Sequence, residues 1–338
     1  MFTMKSIAAI RLIFTLIFLL CANLAQSVEM LFSDHPLAGK IWDMNSHQYI
    51  DEAQLLALTN NAGILLLGET HDNPQHHELQ MKLLKARVAS VMKPGLVPAL
   101  MMEQLNAESQ AELDHALAGS NREAVLENVT KLIKFADEQM YQPFLSIAIS
   151  NKMPVIAANV SNQKLQSVVW RGYAAYDAGE LNRLGVETVW SESRQNYLVA
   201  HMGGAHCGKL REGLSEGLTR GQRLRDALMV DSAVASIGRG VVGIVGSSHA
   251  RRDIGLPLYF AARAPSVRIL SIGFIEVSPG VTDPVSYEMD SATGAVPYDV
   301  VWFTPRVARS DPCADISGPK TISSVSSVLS PEKFINQK

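Results

Sequence analysis

Ile64-Leu65-Leu66-Leu67-Gly68-Glu69-Thr70-His71-Asp72-Asn73-Pro74-Gln75-His76-His77 is the stretch that decides how this chain folds. Four consecutive apolar residues closed by Gly68 are too few for a helix. They read as a strand buried on both faces, the kind found inside a parallel sheet. Glu69 and His71 lie two residues apart, so continued extension points both the same way off the strand's carboxyl end. In open α/β sheets that end is where ligands bind. Asp72-Asn73-Pro74 signals a turn, and His76 and His77 open the helix behind it.

Outward from this stretch, strands and helices alternate. Glu78 to Met92 carries Leu79, Leu83, Leu84 and Val88 at helical spacing, and Pro94-Gly95 breaks it. Val97 to Glu103 is a second apolar strand ending in a carboxylate. Strand, helix, strand is the crossover unit of a parallel sheet, and it brings Glu103 near Glu69 and His71. Residues 107–150 are helical throughout and read as an insertion over the sheet's edge, a cap or lid. Met153 to Val160 is a third strand. Residues 161–200 are helical and polar, with Trp170, Tyr173, Tyr176, Trp190 and Tyr197 dispersed among charges. His201 to Gly208 holds two histidines, His201 and His206, among glycines; it reads as a loop whose backbone can approach a ligand closely. Gln222 to Ile237 is a helix with Arg223, Arg225 and Asp226 on a polar face. Gly240 to Asp253 repeats the opening theme, an apolar strand, a glycine, then His249 at its end. Val267 to Val277 and Tyr298 to Phe303 supply the last strands. Ahead of the first strand, Asp51 caps a short helix, and Trp42 and Tyr49 anchor a lead-in from His35 to Ile50. The fold class expected is α/β, a mostly parallel central sheet flanked by helices, with the helical insertion as a cap.

Residues 1–27 have Lys5 and Arg11, an uncharged run from Leu12 to Ala22, and Ala25-Gln26-Ser27 at a small-x-small spacing, the pattern of a secretory signal peptide. The run is shorter than the ~20 residues of a membrane span. Leu20 before Cys21 is a poor lipoprotein signal, so a lipid anchor at Cys21 is only weakly supported. The expected organisation is a signal over 1–27, one α/β domain over 28–307 and a disordered tail over 308–338, in an exported, periplasmic or outer-membrane-associated protein. An apolar content of 47% supports a large core. A net charge of -3 with no basic run argues against a nucleic-acid partner. For Cys207 and Cys313 two readings stand: one disulfide that ties the tail to the body, or free thiols.

Several blocks, in order, carry a family resemblance. They are Gly68 to Pro74, Glu103, Ile156 to Asn159, His206-Cys207-Gly208, Gln222 to Ala227, Gly246 to Pro257 and Tyr298 to Pro305. Together they resemble the ChaN-like haem-binding proteins, within the wider set that includes the Tiki proteases and the erythromycin esterases. The resemblance runs from about Ile41 to Pro305. It implies a haem-binding protein of bacterial iron acquisition, with haem held at a homodimer interface by a tyrosine of one subunit and a histidine of the other. An outer-membrane haem receptor is the partner this implies. Tyr197 and Tyr259 lie nearest the matching blocks, and His71, His206, His249 and Arg252 are the further candidates for holding haem.

An enzyme reading stands beside it. Glu69, His71, Glu103 and His249 at strand ends are a candidate catalytic set for a hydrolase, with Glu69, His71 and His249 as ligands of a divalent metal ion and a free glutamate as base. Without metal, Glu69 and His71 form an acid/base pair with Arg252 stabilising charge. In a third reading the histidines and glutamates simply satisfy one another inside the sheet.

Overall fold

The computed structural model describes residues 28–91, 96–134, 138–310 and 313. The expected signal over 1–27, the Pro94-Gly95 break and the expected disordered tail beyond 313 lie outside them. In chain order the strands are β1 (Met30–Leu31), β2 (Ile41–Asp43), β3 (Gln48–Ile50), β4 (Ile64–Glu69), β5 (Ala99–Asn106), β6 (Val155–Asn159), β7 (Val241–Gly246), β8 (Ile269–Glu276), β9 (Val300–Thr304) and β10 (Arg306–Val307). The helices are α1 (Glu52–Asn60), α2 (Pro74–Ala89), α3 (Gln110–Leu117), α4 (Arg122–Thr130), α5 (Glu138–Asn151), α6 (Asn162–Arg171), α7 (Ala178–Leu184), α8 (Glu192–Gly204), α9 (Leu214–Ala233), α10 (Ser247–Ala250) and α11 (Leu256–Arg263).

Eight strands form one sheet in the order β3-β2-β9-β8-β4-β7-β5-β6. From β9 to β6 every pairing is parallel, while β2 and β3 add an antiparallel hairpin at one edge. β4 is central and wholly buried, paired with β7 on one side and β8 on the other. Its side chains alternate as a strand requires: Ile64 and Leu66 join one core layer, Leu65 and Leu67 the other. The first layer is closed by α6, α8, α9 and α11, the second by α1 through α5.

This division of helices positions the site. The chain leaves β4 and β5 toward the α2–α5 layer, but leaves β7, which lies between them, toward the α11 layer. The chain therefore diverges to opposite faces after the neighbouring strands β4 and β7, at the carboxyl edge of the sheet where ligands bind in open α/β folds.

The lead-in from His35 to Ile50 contains the hairpin β2–β3, with its anchors Trp42 and Tyr49 paired across it. The insertion at 107–150 covers the edge of the sheet at β5 and β6, burying Leu113, Val125, Val129, Tyr141 and Phe144. His201 to Gly204 is helix rather than loop: α8 continues through it because Leu198 and Met202, one turn apart, are both buried. The polar face of α9 is interior, with Arg223, Arg225 and Asp226 all at least nine-tenths buried. Gly217 and Gly221 explain how α9 comes so close to α6. A Cβ at Gly217 would collide with the Val169 carbonyl, and one at Gly221 would sit 2.9 Å from Leu165 Cδ1. Cys207 and Cys313 form a disulfide, so the chain is fastened past 307, where Ala308 N also donates to Glu29 O.

Candidate functional site

The residues at and after the end of β4 are tied into their surroundings by a network of polar bonds. Glu69 is fully buried, and one of its oxygens accepts from His71 Nδ1 (2.8 Å) and from the Tyr141 hydroxyl (2.7 Å). His77 Nε2 on α2 lies 3.0 Å from the other oxygen. Burial works against the carboxylate, but the charge of His77 and the bonds from His71 and His77 outweigh it and hold Glu69 far below the usual range. Tyr141 is pushed the other way, by burial and then by the Glu69 charge. His76 is buried and kept neutral, its pKa lowered to about 3 by burial. Its Nδ1 accepts from Thr70 N (2.9 Å), which leaves Nε2–H to donate to the Thr304 hydroxyl (2.7 Å). Asn73 caps α2 and donates from its amide to Glu276 (2.7 Å), while Asp72 pairs with Arg309. The carboxyl end of β4 is thereby tied to α2, α5, β8, β9 and the C-terminal segment.

Glu103 heads a second cluster. It occupies the strand parity that faces the α9 layer, opposite to Glu69. Glu103 accepts from Gly246 N (2.7 Å) and lies 3.4 Å from His249 Nε2. His249 Nδ1 donates to Asp226 (2.6 Å) on α9, with the Gln222 carboxamide 2.9 Å from the same nitrogen. Burial disfavours the imidazolium, but the two flanking carboxylates prevail and raise His249 to about 9. Glu103 is lowered to about 2: burial opposes the shift, and the His249 charge outweighs it, with His71 adding to it. His71 thus acts electrostatically on both clusters. Asp226 is raised to about 6 by burial, which the His249 charge only partly offsets.

The sequence-predicted catalytic residues are therefore divided between two buried clusters, Glu69 with His71 and Glu103 with His249, both closed to solvent. Among the described residues no group of three or more His, Cys, Asp or Glu is disposed to hold a metal ion. The expected metal set of Glu69, His71 and His249 does not assemble, because Glu69 and His249 are engaged on opposite faces of the sheet with His77 and Asp226. His77, Tyr141, Gln222, Arg225 and Asp226 complete these clusters without having been read as site residues. The signal available was the pair of glycines in α9, which announces a helix packed close and hence a buried polar face.

The accessible space lies beside them. A cavity of about 330 Å³ opens at the carboxyl ends of β4, β7, β8 and β9, with Thr70, Ser247, Arg251, Glu276, Tyr298 and Arg306 in its wall. His201 and Asp290 also line it. Tyr197, one helical turn before His201, stacks on that imidazole at 5.8 Å between ring centroids and donates to Asp290 (2.9 Å). The Arg251 guanidinium lies 5.1 Å from the Tyr197 ring centroid.

The other expected haem-binding residues lie elsewhere. Tyr259 is 2% exposed; its hydroxyl donates to Val186 O (2.9 Å) and accepts from Trp190 Nε1 (2.8 Å), so it is a core residue and not a free ligand. Arg252 is spent at the surface on Asp299 (2.8 Å) and Asn45 (3.0 Å); Arg251 is the arginine at the cavity. His206 bonds Met202 O (2.8 Å) beside the disulfide. His71 and His249 are held in the clusters above.

Residues 55–260, more than half of the chain, match the family described as "Haem-binding uptake, Tiki superfamily, ChaN". The chain belongs to this ChaN family. Among solved structures its fold is similar to that of ChaN of Campylobacter jejuni, described as binding haem cofacially, with 19% identity over 78% of this chain and 95% of that one and a TM-score of 0.62. An erythromycin esterase mutant, EreC in its open conformation, is 11% identical over 77% of this chain and 95% of that one, at a TM-score of 0.37 too low to carry an argument. No curated protein sequence matches the chain. ChaN membership makes haem the ligand class to test against the cavity.

Proposed function

We propose that this ChaN family member is an exported haem-binding protein of bacterial iron acquisition that holds haem at a homodimer interface. The observation that carries the reading is the stacked Tyr197–His201 pair at the edge of an arginine-lined cavity. Ferric haem takes phenolate or imidazole as axial ligand, and its propionates call for cationic partners. Both kinds of group meet here. At about 330 Å³ the cavity is at the small end of ligand pockets, so it accommodates the edge of a macrocycle and leaves the rest to be covered by a second subunit.

When bound, haem would supply redox-active iron. The residues of this chain set the terms of binding. Tyr197 would hold the iron through its phenolate oxygen, for which it would have to release its bond to Asp290 and pass its proton to solvent. Burial and Asp290 oppose that loss, and the adjacent Arg251 favours it. His201 backs the ring. The disulfide accords with export to an oxidising compartment. The closed Glu69 and Glu103 clusters are read as scaffolding, since Glu69, His71, Glu103 and His249 are all absent from the cavity wall.

An absorption titration with ferric haem tests this. Wild type is expected to saturate with the spectrum of phenolate-ligated iron, and Tyr197→Phe to lose that spectrum while keeping its fold. Saturable binding with an unchanged spectrum in Tyr197→Phe would move the ligand elsewhere.

A further inference from the structure

The same cavity is lined by three arginines, of which one, Arg306, has no carboxylate beside it among the described residues. Arg251 is neutralised by Asp253 through two bonds of 2.9 and 2.8 Å. Arg309 is shared between Asp72 and Glu276, each at 2.6 Å. That pairing also occupies Glu276, which further accepts from Asn73. Asp290 receives the Tyr197 hydroxyl and lies 3.8 Å from Arg251. Arg306 has no carboxylate within 4 Å among the described residues, although it lines the cavity and is partly buried. Its backbone is fixed, because β10 pairs with β1 at Leu31↔Arg306. Around it the wall offers the Tyr287 and Tyr298 rings and the side chains of Met44, Ile275 and Val301.

We infer that this cavity is an anion pocket in which Arg306 receives the carboxylate of a ligand with a flat apolar body. A guanidinium grips a carboxylate through two parallel bonds, and it does so more strongly where water is partly excluded. Of the three arginines in the wall, Arg306 alone has no carboxylate within 4 Å among the described residues, and a single ligand carboxylate fits it. The rings and aliphatic wall fit what carries it. The chemistry is shared by a free aromatic acid and by a haem propionate, and the inference stands on the cavity alone, not on the haem reading.

Calorimetric titration with benzoate and with uncharged benzamide tests the free acid, and ferric haem against its dimethyl ester tests the propionate. The expected result is at least a tenfold preference for the carboxylate form in one of the two pairs. Arg306→Gln should abolish that preference and Arg306→Lys should keep most of it, with unchanged melting temperatures in both variants. A preference only in the benzoate pair assigns the pocket to a free acid, and one only in the haem pair assigns it to a propionate. Benzoate binding in a protein that binds no haem would sink the haem reading and leave the pocket standing. Equal binding of both members in both pairs, no binding in either pair, or a preference that survives Arg306→Gln would overturn the inference.

Discussion

His249 is the residue whose ionisation the interior controls most directly. Between Glu103 and Asp226 its pKa is raised to about 9, above the ~6.5 of an unfolded chain. Such a group stabilises the fold fully below about pH 6.5, and that contribution is lost as pH rises through about 9. His77, raised by Glu69 against its burial, acts in the same direction. Urea unfolding should therefore show stability falling by about 2–3 kcal/mol between pH 6.5 and 9.5, with a shallower fall in His249→Gln. A flat profile in the wild type would show that the imidazole is neutral in the fold. Tyr141→Phe leaves a buried carboxylate one donor short and should cost about 1–3 kcal/mol at pH 7 without loss of secondary structure.

At the scale of elements, α9 makes the sharpest prediction. A methyl group at Gly217 meets the Val169 carbonyl of α6, so Gly217→Ala should destabilise by about 1–3 kcal/mol in thermal unfolding. Gly204, at the end of α8 with nothing within 4 Å of its would-be Cβ, is the control: Gly204→Ala should be neutral or stabilising by up to about 1 kcal/mol. The elements legible in the sequence were those whose reasons are local. β4 and β7 announce themselves as apolar runs ended by glycine, and Asp51 caps α1 in a reciprocal bond with Gln54, a box the spacing contains. What escaped depends on distant partners. The polar side of α9 looks solvated until β5 and α10 supply Glu103 and His249. The glycines of α8 look like a loop until Met202 is seen buried. Glu103 was expected at a strand end beside Glu69, but β5 runs on to Asn106, and the parity that turns Glu103 toward the other face depends on where the strand is held in the sheet.

At the scale of the whole molecule, divergent connections at β4 and β7 place a cavity at the sheet's carboxyl edge, and the C-terminal segment completes its wall with Arg306 and Arg309. The Cys207–Cys313 disulfide spans 106 residues and fastens that segment. Replacing both cysteines by serine should cost about 2–5 kcal/mol, read as a lowered melting temperature that reductant no longer changes. Native mass spectrometry of residues 28–338 titrated with ferric haem tests the central claim most directly. A monomer that converts on loading to a dimer carrying two haems is the predicted result. A protein that stays monomeric and haem-free at saturating haem would contradict it.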